Sequence, residues 1–324
     1  MSFPLFAAPG SVVFLDDDPD YLDMLQLLAP PAWPVRFFLR PDQCLQQIQR
    51  ESADWEADVW AQQEVIDRWH RHGTPLIPQI LRYWAEHGAR RYGLTQVCVV
   101  DYSMPQTDGL QVLETLRDWP GAKVLLTGQA DEQMAVQAFN RGLIAQFIPK
   151  QSPDIARQLV HTVAQLLASA CQRQAALWRA TLTPVQNALL RTPSIAQALA
   201  RWVAVRNWVE YVVIGAPFGI LGRDAQGVAG WLQLEPYSGL DELAELADGV
   251  GASAVAVDAI RRGQQLMAIE LCQALGLTST PLMAPAFAVG EDDSLLGAQF
   301  DVPTEVTHGF AQWLDAQPPR RTQN

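Results

Sequence analysis

Five short apolar segments, separated by polar and helical patterns, dominate the first half of the chain. They occupy residues 12–15, 35–39, 97–100, 123–126 and 145–148. Continuous short apolar runs of this kind are typical of strands that are buried on both faces. Between them, apolar residues recur at helical spacing, as in Leu22, Leu25 and Leu28 before the break at Pro30. The alternation predicts an α/β fold, a doubly wound five-stranded parallel sheet with helices on both faces, over residues 10–165.

The connection between the second and third segments is longer than one crossover helix requires. Residues 43–94 fill it, with Trp55 and Ile66 on one helical stripe and Ile80 and Trp84 on a second. This spacing predicts an inserted helical hairpin at 43–94. We interpret its tryptophans as packing residues, and a partner-binding face is the alternative.

The pattern changes after residue 150. A long amphipathic helix opened by Pro153 and ending near Thr183, with further helices up to Asn207, predicts a helical linker at 166–207. A C-terminal α+β domain is predicted at 208–315. Its expected strands are residues 211–215, 218–222, 228–234, 286–289 and 295–302, and its expected helices are residues 240–247 and 255–275.

Composition narrows the possible functions. Hydrophobic residues make up 49% and charged residues 18%, which is typical of a globular protein. No apolar run reaches the roughly 18 residues of a membrane span. The first ten residues lack the basic start of a signal peptide, so we expect a cytoplasmic protein without membrane insertion. The four cysteines lie far apart with no metal-site spacing, and we expect reduced thiols.

The charge is strongly acidic, at −12 overall. Residues 201–324 contain 7 Arg and no Lys against 15 Asp and Glu, a balance of −8. Such a surface repels a phosphate backbone, so nucleic acid is not an expected partner of the C-terminal domain.

Polar side chains follow the apolar segments at the points where strands end. They are Asp16, Asp17, Asp101, Thr127 and Lys150. Because ligands of parallel sheets bind at the carboxyl ends of the strands, these residues define a candidate site. Carboxylates are the ligands that Mg²⁺ prefers, while an amine and a hydroxyl can bind phosphoryl oxygens. The set suits phosphoryl transfer to a carboxylate.

The runs VVFLDDDPD, VVDYSMPQTDGL, KVLLTGQAD and FIPK resemble the receiver domain of bacterial two-component response regulators, which is CheY-like. The resemblance implies that Asp101 is the phospho-acceptor and that Asp16 and Asp17 hold Mg²⁺ with it. The backbone carbonyl of Ser103 would complete the protein ligands of the metal.

The same resemblance implies that Lys150 binds the phosphoryl group and that Thr127 and Phe147 switch together. It also implies a histidine kinase or phosphotransfer protein as partner. The sequence departs from the family in two ways. Pro149 precedes the lysine and Gln151 follows it, where the family usually has Pro after the lysine, and the insertion lies where the family is compact.

An enlarged receiver, the run AVQAFNRGLIAQFIPK and a sheet-rich domain with a helix such as AVDAIRRGQQLMAIEL follow one another along the chain. In this arrangement the chain as a whole is also similar to response regulators of α-hydroxyketone quorum-sensing circuits, which implies signal relay without a known catalytic output. Two hypotheses follow. The first is a non-enzymatic phosphorelay protein that acts through conformational change or homodimerisation on a non-DNA-binding output domain. The second is a receiver-gated output enzyme or a small-ligand sensor, for example of a nucleotide. Asp224 and the Asp292-Asp293 pair are interpreted as turn residues rather than metal ligands.

Overall fold

The structure is a computed structural model that describes residues 2–105, 107–128, 132–277, 281–291, 294–303, 309–320 and 322–323. The Asp292-Asp293 pair lies outside these residues, as do residues 129–131 of the motif that follows Thr127.

The strands are numbered in chain order. They are β1 (Phe6–Ala7), β2 (Ser11–Leu15), β3 (Val35–Phe38), β4 (Thr95–Asp101), β5 (Ser103–Met104), β6 (Thr107–Asp108), β7 (Ala122–Thr127), β8 (Gln146–Pro149), β9 (Trp208–Gly215), β10 (Phe218–Asp224), β11 (Ala229–Pro236), β12 (Gln265–Met267), β13 (Met283–Pro285), β14 (Phe287–Ala288), β15 (Leu295–Asp301) and β16 (Thr322–Gln323).

The α-helices are numbered in the same way. They are α1 (Pro19–Leu28), α2 (Pro41–Arg50), α3 (Ser52–His72), α4 (Leu76–Tyr92), α5 (Gly109–Thr115), α6 (Glu132–Asn140), α7 (Ile155–Ala170), α8 (Gln172–Trp178), α9 (Pro184–Leu189), α10 (Pro193–Val205), α11 (Leu240–Gly249), α12 (Ala254–Arg261), α13 (Ile269–Ala274) and α14 (Phe310–Asp315).

The chain divides into two compact units. The first, which we call the receiver unit, comprises Pro9–Asp58, Ala89–Cys171 and Trp313–Asn324. The second, which we call the output unit, comprises Met1–Ala8, Val59–Gly88 and Gln172–Gln312. Most of the helical insertion therefore belongs to the output unit, although the receiver segments flank it in sequence.

The receiver unit is built on the predicted parallel sheet. Its strand order is β16-β3-β2-β4-β7-β8, and every pairing is parallel. The five longer strands and the flanking helices confirm the predicted α/β fold. The two-residue strand β16 at the β3 edge was not predicted.

Alternating side chains of the receiver strands fill one core on each face. Val13 and Leu15 face the helices α2, α5 and α6, whereas Val12 and Phe14 face α1 and α7. Both sets are at most 1% exposed. Burial on both faces explains why these strands are continuously apolar rather than alternating.

The C-terminal tail is attached to the receiver unit by one arginine. The Arg320 guanidinium donates hydrogen bonds to four backbone carbonyls, those of Ala29, Pro30, Pro31 and Trp33, at 2.6–3.0 Å. The burial that these contacts require lowers the pKa of Arg320. The contacts hold the tail where β16 can pair with β3.

The output unit contains an antiparallel sheet of order β1-β9-β10-β11-β15-β14. The hairpins β10–β11 and β14–β15 match the expected strands 218–222 with 228–234 and 286–289 with 295–302. The helix α10 packs Ile195, Leu199 and Val203 onto one face with side chains of β9 to β11. The predicted C-terminal α+β fold is confirmed. The N-terminal strand β1, which pairs with β9, was not predicted.

Two predicted long helices are interrupted. The helix expected at 255–275 is wrong, because the chain turns at Gly263 with φ +66° and residues 265–267 form β12, paired with β13. The helix expected from Pro153 to Thr183 ends at Ala170, and α8 starts at Gln172 in the other unit.

The insertion tryptophans differ in their surroundings. Trp55 and Trp84 are buried, at 8% and 3% exposure, which agrees with their interpretation as packing residues, whereas Trp60 is 72% exposed.

Candidate functional site

The parallel register of the receiver strands brings the predicted polar residues to one edge of the sheet. Asp101 ends β4 and Thr127 ends β7, and the pairs Asp101↔Leu126 and Thr127↔Pro149 set them side by side. The Lys150 backbone N–H donates to the Thr127 carbonyl at 2.8 Å, so the lysine directly follows the last strand at the same edge.

Three carboxylates meet there. One oxygen from each of Asp16, Asp17 and Asp101 lies within 4.8 Å of the others. Asp16 is fully buried and Asp101 is 4% exposed, whereas Asp17 is half-buried. Two buried carboxylates next to a third destabilise the fold when they are ionised, unless positive charge balances them.

Part of that balance comes from Lys150. Its ammonium nitrogen lies 2.7 Å from Asp16 Oδ2 and 2.7 Å from Asp101 Oδ1. It also lies 4.3 Å from the centre of the Tyr21 ring, a cation–π contact. Three carboxylates and one ammonium leave a net charge of −2 in the fully ionised site.

The pKa values follow from this environment. Burial raises the pKa of Asp16 to about 6, although the hydrogen bond from Lys150 acts in the opposite direction. Burial likewise raises the pKa of Asp101. Burial alone would lower the pKa of Lys150, but the hydrogen bonds to Asp101 and Asp16 outweigh it and raise that pKa above its ordinary value.

Local sequence fixes the loop that carries the acid pair. The Asp18 side chain caps α1 by accepting hydrogen bonds from the backbone N–H groups of Asp20 and Tyr21, with Pro19 in the first turn. The Asp18 N–H in turn donates to Asp16 Oδ1 at 3.1 Å. The helix start thereby orients Asp16 toward the strand ends.

A glycine allows the loop after Asp101, residues 102–105 and 107–108, to fold back against the end of β4. Gly109 begins α5, and its N–H donates to the Tyr102 carbonyl at 2.8 Å. A Cβ at this position would lie 2.2 Å from the Asp101 backbone oxygen, so only glycine fits without displacement. The Ser103 backbone N–H donates to the Asp101 carboxylate, which holds that side chain in place.

Thr127 and Phe147 differ in their surroundings: the Thr127 hydroxyl lacks a hydrogen-bond partner among the described residues, whereas the Phe147 ring packs against a core. Thr127 is fully buried, and its hydroxyl has no hydrogen-bond partner among the described residues. Phe147 is half-buried and packs at the margin of the core on the α5 and α6 face. A buried hydroxyl without a partner is destabilising, typically by about 1–3 kcal/mol, so it would gain from an acceptor placed at the site.

The donor set fits Mg²⁺. The three carboxylates offer hard oxygen ligands on neighbouring loops, and a divalent cation would neutralise the net charge of −2. Within the described part of the chain, these are the three acidic or metal-ligating side chains that come together in this way.

Sequence reasoning missed one contact residue. Tyr21, counted only as part of a helical stripe, lies against Lys150, and burial raises its pKa to about 12. The available signal was its place in the first turn of the helix after the acid pair, because that turn faces the same edge of the sheet.

Comparisons with known proteins were made for sequence and for structure. No protein-family model and no curated protein matches the chain. Among solved structures, the Legionella pneumophila response regulator LqsR is similar with a TM-score of 0.75 and 23% identity over 98% of both chains. A CheY-like receiver domain protein from Methanospirillum hungatei covers 52% of this chain and 99% of its own, with 15% identity and a TM-score of 0.34. A receiver domain protein from Clostridium thermocellum covers 52% and 98%, with 18% identity and a TM-score of 0.31.

The chain therefore has the fold of a response regulator, in which a receiver fold is combined with an α+β unit. The similarity to LqsR extends over nearly the whole length, insertion and output unit included, which confirms at the level of fold the resemblance indicated by the sequence motifs. Within the described ranges, no helix combines the length and hydropathy that a membrane span requires.

Proposed function

We propose that the protein is a phosphorelay response regulator that accepts a phosphoryl group on Asp101 with the help of Mg²⁺. The observation that carries the proposal is the position of the Lys150 ammonium, 2.7 Å from the carboxylates of both Asp101 and Asp16. Asp16, Asp17, Asp101 and the Ser103 carbonyl would hold the metal, which would neutralise charge on the incoming phosphoryl group.

In the transfer, an Asp101 carboxylate oxygen attacks the phosphorus of the donor. The new O–P bond forms as the bond to the leaving group breaks, and the bonding electrons depart with that group. Lys150 exchanges one carboxylate contact for the phosphoryl oxygens, which are stronger and more numerous acceptors. Because both carboxylates are buried, the attraction between this ammonium and the phosphoryl oxygens is stronger than it would be in water.

The phosphorylated Asp101 would change the position of Thr127. Phosphorylation adds about −1.5 to −2 charges and three acceptor oxygens at the strand edge. Those oxygens supply the acceptor that the buried Thr127 hydroxyl lacks among the described residues. When Thr127 moves toward them, Phe147 can leave its half-buried position and fill the vacated space, which changes the surface formed by β8 and its neighbours.

We further propose that a histidine kinase or phosphotransfer protein supplies the phosphoryl group. The output would be conformational change or homodimerisation rather than DNA binding, in a circuit of the α-hydroxyketone quorum-sensing type. The acidic balance of residues 201–324, which is −8, supports an output that does not contact nucleic acid.

The test is labelling of the full chain by acetyl phosphate with Mg²⁺. The wild type should be labelled, chelation by EDTA should prevent labelling, and Asp101→Asn should abolish it. Asp23→Asn is the matched control, because Asp23 is an exposed acid of the same unit on α1, and it should be labelled like the wild type. Label that persists on Asp101→Asn would contradict the proposal.

A further inference from the structure

A cavity of about 220 Å³ lies within the output unit. Ser2, Phe3 and Leu5 line one part of it, and the 3₁₀ turn Arg179–Thr181 and the end of α9 line the rest. No step of the proposed phosphoryl transfer uses this region.

The lining of the cavity is positively charged, whereas the chain as a whole is acidic. Arg179 and Arg191 both line it, and none of the described residues that line it is a carboxylate. Neither guanidinium forms an ion pair with any described residue, although the chain carries a net charge of −12. Both arginines are exposed and line one concave site, so an external anion can contact both guanidinium groups.

The rest of the lining provides neutral polar groups and an apolar floor. Asn187 and Ser2 add hydrogen-bonding groups, while Phe3, Leu5 and Leu190 are buried at 3%, 4% and 1% exposure. The Phe3 N–H donates to the Leu190 carbonyl at 3.0 Å, so the N-terminal segment is fixed against the end of α9. The backbone that carries the site is thus fixed before any ligand arrives, which lowers part of the entropic cost of binding.

Size and charge together define the ligand. Cavities that take drug-sized ligands measure about 300–1,000 Å³, so this one suits a smaller molecule. A phosphate monoester carries about −1.5 to −2 charges at neutral pH, which two guanidinium groups balance better than they balance a monocarboxylate.

We propose that the output unit binds a small phosphate monoester, with Arg179 and Arg191 on the phosphate and the apolar floor under a short carbon skeleton. The response regulator would then receive two inputs, a phosphoryl group on Asp101 and a small phosphorylated metabolite in the output unit. This site is independent of the receiver chemistry, and it requires neither Mg²⁺ nor an intact acceptor.

The experiment is calorimetric titration of the full chain, carrying Asp101→Asn and in EDTA, with glycerol 3-phosphate as the probe. These conditions remove the receiver site from the measurement. We expect saturable binding of one molecule per chain, and glycerate, which has the same carbon skeleton with a single carboxylate, should bind at least about tenfold more weakly.

Variants then assign the site. Arg179→Ala and Arg191→Ala should each weaken binding by about tenfold or more, and Asn187→Asp should weaken it similarly by adding a negative charge. Arg201→Ala, which removes an exposed arginine of the same unit on α10, should leave binding unchanged. Circular dichroism melting curves of each variant control for folding.

Two results would overturn the inference. One is the absence of saturable binding of glycerol 3-phosphate by a chain that is folded. The other is binding that survives in the double variant Arg179→Ala/Arg191→Ala, or that glycerate matches in affinity, because either would remove the paired guanidinium groups from the recognition of a dianion.

Discussion

The Thr127 hydroxyl allows a substitution to distinguish the resting site from the phosphorylated one. Thr127→Val keeps the shape of the side chain and replaces only the hydroxyl, by a methyl group; that hydroxyl is fully buried and lacks a partner among the described residues. A buried, unsatisfied hydroxyl costs about 1–3 kcal/mol, so the variant should be more stable than the wild type by about 1–2 kcal/mol in the absence of a phosphoryl group.

This difference in stability between variant and wild type should shrink to about zero once an anion fills the site. Beryllofluoride with Mg²⁺ mimics the aspartyl phosphate and offers the hydroxyl an acceptor. The wild type gains that hydrogen bond and the variant cannot, so the stabilisation by beryllofluoride should be smaller in Thr127→Val by about 1–2 kcal/mol. Backbone hydrogen exchange of β7 and β8, followed by mass spectrometry in the full chain, measures both differences within the receiver unit.

Thr95→Val provides the matched control. Thr95 is equally buried in the same sheet, but its hydroxyl oxygen accepts a hydrogen bond from Arg36 at 2.6 Å. The same substitution should therefore destabilise the unit there, by about 1–2 kcal/mol. A Thr127→Val variant that is destabilised like Thr95→Val, or that gains as much from beryllofluoride as the wild type, would refute the reasoning.

Three further outcomes are expected. Gly109→Ala places a Cβ against the Asp101 backbone, so the initial rate of labelling by acetyl phosphate should fall by up to about 100-fold, whereas Gly249→Ala, with open space around it, should keep the wild-type rate. Burial, followed by the charges of two neighbouring glutamates, raises the pKa of Glu235 to about 7. The protonated form is thus favoured in the fold, and stability is lost as the pH rises from about 4.5 through 7. Glu235→Gln should therefore match the wild type near pH 4 and exceed it by about 1–3 kcal/mol at pH 8 in chemical denaturation, and an equal difference at both pH values would contradict this. Arg320→Ala removes the four carbonyl contacts of the tail and should destabilise the receiver unit by about 1–3 kcal/mol, measured by hydrogen exchange of β3, with Arg320→Lys recovering only part of the loss.

The receiver fold was predictable because the sequence marks where its strands end. Residues 12–15 and 97–100 are apolar and pass directly into carboxylates, and parallel strands bring their carboxyl ends to one edge. The grouping of Asp16 with Asp101 and Lys150 followed from that rule alone. The structure adds that the lysine contacts both carboxylates at the same distance, which strand order cannot specify.

The interruption of the 255–275 helix was not predictable from periodicity. Leu266 and Met267 continue an apolar pattern after the end of α12, and they form a strand only because β13 pairs with them. Gly263, with its positive φ, was the local signal that the helix ends there.

The strands β1 and β16 were missed for a similar reason. Each is two residues long and exists because a longer strand edge, of β9 or β3, is available for pairing. The division of the insertion between the two units is equally a tertiary property, since residues 59–88 have the same amphipathic pattern as helices that pack on their own sheet.

The most direct test of the central claim is to locate the phosphoryl group. The full chain is treated with acetyl phosphate and Mg²⁺, the acyl phosphate is reduced with borohydride, and peptides are mapped by mass spectrometry. We expect reduction of the side chain at Asp101 and at no other carboxylate, because Asp101 is the proposed acceptor and Asp16, which also contacts Lys150, is fully buried. Reduction at Asp16 or Asp17, or at no position in a chain that binds Mg²⁺, would contradict the account.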